Sequence, residues 1–227
     1  MVLYIVLMIP VVILSIWASM RVNGNFRKYS KYPSSTGHTG RSAAREILDR
    51  NGLDHVRIEE VSGFMTDHYD PSTNVLRLSR EVYGVPSLAA IGVAAHEAGH
   101  AIQKAKNYGP LSLRQALVPI TQISAWGFNI LILVGLFGSV FFHSYGLIKI
   151  AVVLLGVTAF FSLITLPVEF DASKRAKKLL VNYGLISREE HVYVSEVLGA
   201  AAMTYVAAAA STVMTLIYFV IGFGSRD

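Results

Sequence analysis

Residues 93–103 read VAAHEAGHAIQ, and five of them, His96-Glu97-Ala98-Gly99-His100, have the spacing H-E-x-x-H. Residues four apart on a helix share a face, so both imidazoles project the same way. Two neutral imidazoles placed like this can hold one Zn²⁺ at about 2.0–2.1 Å. Glu97 lies one residue along, close enough to reach a metal-bound water and take its proton without being a ligand. With this His and Glu content the pattern arises by chance roughly 0.01 times per chain.

A helix that merely packs two histidines leaves three polar groups unexplained in the otherwise apolar run AAIGVAAHEAGHAI. Burying a lone carboxylate costs several kcal/mol unless it is paired, and a metal satisfies all three groups at once. A catalytic zinc needs a third protein ligand and an open position. The chain has no cysteine, so the ligand must be His, Asp or Glu. Glu169 in LPVEFDASKRAKKLL is the best candidate; its competing role is an interfacial carboxylate paired with Lys174 or Arg175. Asp171 is a rival, but two residues on is about 200° around a helix, so both carboxylates would not ordinarily share one ion. His191 and His68 are weaker rivals.

The elements that must position these groups lie in a chain built for a bilayer. Hydrophobic residues make up 53% of the 227 and charged residues 15%, against about 25% charged in soluble domains. Mean hydropathy is +0.48. The expected organisation is a mainly α membrane protein with four spans: an anchor in 1–20, then 120–143, 146–168 and 197–223. A signal peptide would need basic residues ahead of the first span; here Arg21, Arg27, Lys28 and Lys31 follow it, so an uncleaved anchor is expected. HSYG at 143–146 is expected to close a tight hairpin between spans two and three. Ala, Gly, Ser and Thr in the fourth span suit close helix packing in lipid.

Two larger pieces, 21–119 and 169–196, then fall on one side of the membrane. Of 20 Lys and Arg, all but Lys149 and Arg226 lie in them or at their borders. The positive-inside rule therefore places both in the cytoplasm. The excess charge of +5 follows this topology and does not call for nucleic acid. KRAKK at 174–178 reads as a patch beside the membrane on anionic lipid.

The first piece is expected to be a small α+β domain. A helix is predicted over 40–50, closed by Asn51-Gly52. HVRIEEV and NVLRLS alternate like strands, and MTDHYDPSTN between them reads as turn. A helix over 88–105, with Ser87 as its N-cap, carries the motif.

TDHYDPSTNVLRLSREVY, AAIGVAAHEAGHAIQ, LPVEFDASKRA and AAAMTYVAAAAS, in this order, resemble the YugP-type neutral zinc metallopeptidases of bacterial membranes over about residues 40–215. The layout is more distantly similar to membrane gluzincins of the HtpX/Ste24 type, in which a later Glu is the third ligand. The resemblance implies a zincin-like domain, one Zn²⁺ per chain on His96, His100 and Glu169, and Glu97 as general base. It also implies polypeptide substrates, including membrane proteins, and peptide-bond hydrolysis near the cytoplasmic face of the cell membrane. In zincins the substrate lies along an exposed strand, and NVLRLS at 74–79 is the candidate. His191, Tyr193 and Tyr205 are candidate oxyanion donors. The distant relatives often place Ala-Asp three and four residues after the Glu ligand; here Ala172 and Ser173 stand there, so no group is assigned to orient the histidines.

Two other functions compete. A hydrolase acting on a lipid-linked group would use the same metal, but no glycine loop for phosphate is present. A scaffold holding a structural zinc would have no need of a base at Glu97.

Overall fold

The computed structural model describes residues 2–141 and 145–223, so the turn expected at 143–146 falls largely outside the described residues. The elements run α1 (Val2–Tyr29), α2 (Gly40–Arg50), β1 (Arg57–Val61), β2 (His68–Asp70), β3 (Val75–Ser79), α3 (Arg80–Tyr83), α4 (Leu88–Ala105), α5 (Gly109–Phe141), α6 (Gly146–Asn182) and α7 (Glu190–Phe223). Among the described residues, α1, α5, α6 and α7 are long and apolar enough to cross a membrane. Each outruns its apolar stretch: α1 continues to Tyr29, α5 begins at Gly109, α7 begins at Glu190, and α6 passes through Pro167 to Asn182. Apolar content marks the part of a helix that suits lipid, not the end of the helix.

The chain divides into two compact units. One comprises residues up to Trp17, Ser112–Pro167 and from Tyr205 onward. Ile123, Trp126, Leu133 and Val153 in it are 68–76% exposed, an apolar surface of the kind that meets lipid.

The other unit, Ala18–Leu111 with Val168–Thr204, carries the chemistry. Its core gathers Ile47 and Leu48 of α2, Leu76 and Leu78 of β3, Ile91, Ala94, Ala95 and Ala98 of α4, and Ala176 and Leu180 of α6. α2 starts with Thr39 and Ser42 bonding each other's backbone, and it ends before Gly52 at φ +70°. Ser87 caps α4 by accepting from the Ala90 N–H.

The sheet corrects two sequence expectations. Its order is β1-β3-β2, with β1 parallel and β2 antiparallel to β3. The stretch 65–74 is not all turn: His68–Asp70 forms β2, too short to register as an alternating run. Its hairpin turns through Asn74 at φ +53° and is locked by Asp70, which accepts from Ser72 and Thr73. The second correction concerns NVLRLS at 74–79. It contains β3, which is paired on both sides and buried at Val75, Leu76, Leu78 and Ser79. Its backbone is spent within the sheet, so it cannot add a substrate strand.

α4 and α6 approach closely enough to require glycine. A Cβ on Gly99 would lie 2.8 Å from the Ala172 carbonyl oxygen. Replacing Gly99 with Ala gains up to ~1 kcal/mol of helix propensity but forces two backbones apart, at about 1–3 kcal/mol for overpacking. The expected outcome for Gly99→Ala is a net loss of stability, read as a lower midpoint of thermal unfolding in detergent together with weaker zinc retention. A midpoint equal to or above that of the parent would show that the crossing relaxes freely.

Candidate metal centre

α4 contributes His96, Glu97 and His100, and α6 contributes Glu169. One ligand atom from each of His96, His100 and Glu169 lies within 4.8 Å of the others. His96 Nε2 is 3.2 Å and His100 Nε2 3.5 Å from Glu169 Oε2. Ligand atoms about 2.0–2.1 Å from one tetrahedral ion stand roughly 3.3 Å apart, so both imidazole–carboxylate distances suit zinc, as does the donor type. Glu169 is 2% exposed, His100 8% and Glu97 9%. Burial alone would pull the His100 pKa down, but the Glu169 hydrogen bond and the charges of Glu97 and Glu169 raise it overall. Two buried carboxylates draw positive charge onto the imidazole, and a divalent cation meets the same demand.

The other nitrogen of each imidazole is engaged. His96 Nδ1 lies 3.1 Å from Ser173 Oγ, and His100 Nδ1 lies 2.9 Å from Gln103 Oε1. The Gln103 contacts fix the direction of the proton. Its Nε2 donates to the Val168 carbonyl and to Asp171 Oδ2, both at 2.8 Å. Oε1 is therefore the atom turned to His100, and being only an acceptor it requires Nδ1 to carry the hydrogen. That leaves Nε2 as the nitrogen facing Glu169, which can donate to the carboxylate or, once that proton is released, offer its lone pair to a metal. Asp171 is held in turn by Arg175 at 2.5 Å.

Neither Gln103 nor Ser173 was assigned this role from sequence. Both had a signal. Gln103 lies one helical turn after His100 in an apolar run, and Ser173 lies one turn after Glu169, where the distant relatives carry Asp. The rivals for the third ligand go elsewhere. Asp171 is engaged by Gln103 and Arg175. His68 is exposed on β2, with Nδ1 on the Thr66 carbonyl at 2.8 Å. His191 lines a cavity with Lys177, Lys178 and Arg188. Of the suggested oxyanion donors, Tyr193 stacks on Tyr29 at 5.4 Å, and Tyr205 belongs to the other unit.

Glu97 stands beside the sheet, where Oε2 accepts from the Tyr69 N–H of β2 at 2.9 Å. Asp67, ahead of that strand, accepts from the Ser79 N–H at 2.8 Å and from its hydroxyl. Burial pushes the Asp67 carboxyl up, the Ser79 bonds oppose this, and the charge of Glu97 adds to the rise.

Gln103→Leu should keep the fold, because the replacement is apolar and similar in size. It should weaken zinc binding about 10–100-fold, the usual cost of losing a group that orients a ligand. Competition with a chromogenic chelator measures this directly, and unchanged affinity would remove Gln103 from the site.

The family described as "Putative neutral zinc metallopeptidase" matches residues 4–224. A protein of Bacillus subtilis (strain 168) named "Putative membrane protease YugP" is 46% identical over 226 residues, 99% of each chain. No solved structure matches. Set beside a buried His₂Glu cluster with a glutamate between its histidines, these matches place the chain in the neutral zinc metallopeptidase family.

Proposed function

We propose that this chain is an integral-membrane zinc endopeptidase that cuts polypeptides close to the cytoplasmic face of the membrane. The observation that carries this is the convergence of His96, His100 and Glu169 from two helices, with Glu97 buried beside them. His96 Nε2, His100 Nε2 and a Glu169 oxygen would hold the ion. Zinc, when bound, lowers the pKa of a coordinated water toward ~7 and polarises a carbonyl.

The chain's own groups do the rest. Ser173 and Gln103 keep both imidazoles turned with Nε2 inward. Glu97 takes the water proton and hands it to the leaving amine. Tyr69 N–H holds Glu97 Oε2 and brings the β2 edge beside the base. β3 has no free edge, so β2 is the strand near the base along which an extended substrate would lie, with its Tyr69 N–H kept by Glu97 and not offered to the peptide.

Glu97→Gln is the test of the base. The amide is nearly isosteric but cannot accept a proton. One zinc per chain should remain while peptide cleavage falls ~10²–10⁴-fold; activity within about threefold of the parent would remove Glu97 from the chemistry.

Membrane-proximal cutting is supported by chain position. Glu169 follows Pro167 by two residues on one helix, about 3 Å of rise. The ligand therefore stands close to the end of the apolar stretch. A substrate with one span and a flexible cytoplasmic tail, its cleavable sequence moved outward in steps, should be cut less as that site leaves the interface. Equal cutting of the tethered site and the free peptide at matched concentration would refute this restriction.

A further inference from the structure

Along α6, beyond the ligand, lies a cavity of about 260 Å³ lined by Asn51, Ile102, Lys106, Asp171, Lys174, Arg175, Lys178 and Leu179. Four lining residues are cations and one is a carboxylate, which is already paired with Arg175. No carboxylate among the described residues pairs with Lys106, Lys174 or Lys178. Three ammonium groups around one hollow repel one another unless an anion sits between them.

Two further observations bear on which anion. Ile102 and Leu179 give the hollow an apolar part, which offers nothing to a hydrated free phosphate but suits the glycerol region of a lipid. A second cavity, about 300 Å³, is lined by Lys177, Lys178, Val181, Asn182, Arg188 and His191, so Lys178 borders both. The basic residues thus extend from the first hollow along this segment of α6, with Lys178 shared by both cavities. Lys174 is seven residues past Pro167, about 10 Å of helix rise, within reach of headgroups when the apolar part of α6 spans a bilayer.

We propose that the Lys106–Lys174–Lys178 cavity binds the phosphate of an anionic phospholipid headgroup, tying this segment of α6 to the membrane surface. This rests on the membrane reading of α6 and is independent of the zinc chemistry.

The test uses the full-length protein, purified in a mild detergent and offered phosphatidylglycerol or phosphatidylcholine, with bound lipid counted by native mass spectrometry. The parent should retain phosphatidylglycerol at least tenfold better than phosphatidylcholine. Each lysine near an anionic surface contributes about fivefold, so K174Q/K178Q should weaken retention ~30-fold, and K174R/K178R should preserve it. Both positions are exposed, so folding is spared, and zinc content serves as the control. Equal retention by the Gln pair and the parent overturns the site. Displacement of the lipid by millimolar pyrophosphate overturns the lipid as its source and leaves a site for a free anion. Release of the chain from membranes by alkaline extraction would instead sink the membrane reading.

Discussion

Glu169 sits at 2% exposure against two imidazoles, and a carboxylate at that depth is tolerated only with positive charge beside it. Bringing it there requires α6 to lie backbone to backbone with α4. The surface that allows this is made of small residues: Ala95, Ala98 and Gly99 on one helix, Ala172 and Ala176 on the other. The two variable letters of H-E-x-x-H are therefore not free in this chain. Ala98 is buried in the core, Gly99 receives the Ala172 carbonyl, and the same helical turn that aims both histidines supplies the gap that lets their partner approach.

The polar side of that crossing is a directional chain. Arg175 holds Asp171, Asp171 accepts from Gln103, and Gln103 accepts from His100. A carboxylate directly on the imidazole would add a third buried negative charge beside Glu97 and Glu169. Here a neutral amide stands next to the histidine, and the charge is moved one residue further out, where a guanidinium compensates it. The other histidine is held by a hydroxyl, also neutral. Both imidazoles are oriented without enlarging the negative charge that the metal must balance.

Much of this was legible beforehand, for identifiable reasons. The H-E-x-x-H helix and its Ser87 cap rest on local rules of spacing and capping, which tertiary contacts did not override. Glu169 was the candidate because the chain has no cysteine and this carboxylate directly follows the third apolar stretch on the side of the motif; the structure brings it to the two histidines. Gln103 and Ser173 escaped because orientation depends on which atom faces which, and a sequence carries spacing but not the turn of an amide. β2 escaped for a reason of length: three residues inside a stretch rich in turn formers are too few to show alternation, and only pairing with β3 makes them a strand.

That short strand bears on how the proposed base works. The Tyr69 N–H is committed to Glu97 Oε2, so the β2 backbone fixes one oxygen of the carboxylate. The same hydrogen bond sets the distance between Glu97 and the β2 edge. The sheet is thus more than support for the metal helix: Tyr69 of β2 holds the Glu97 carboxylate at the sheet edge.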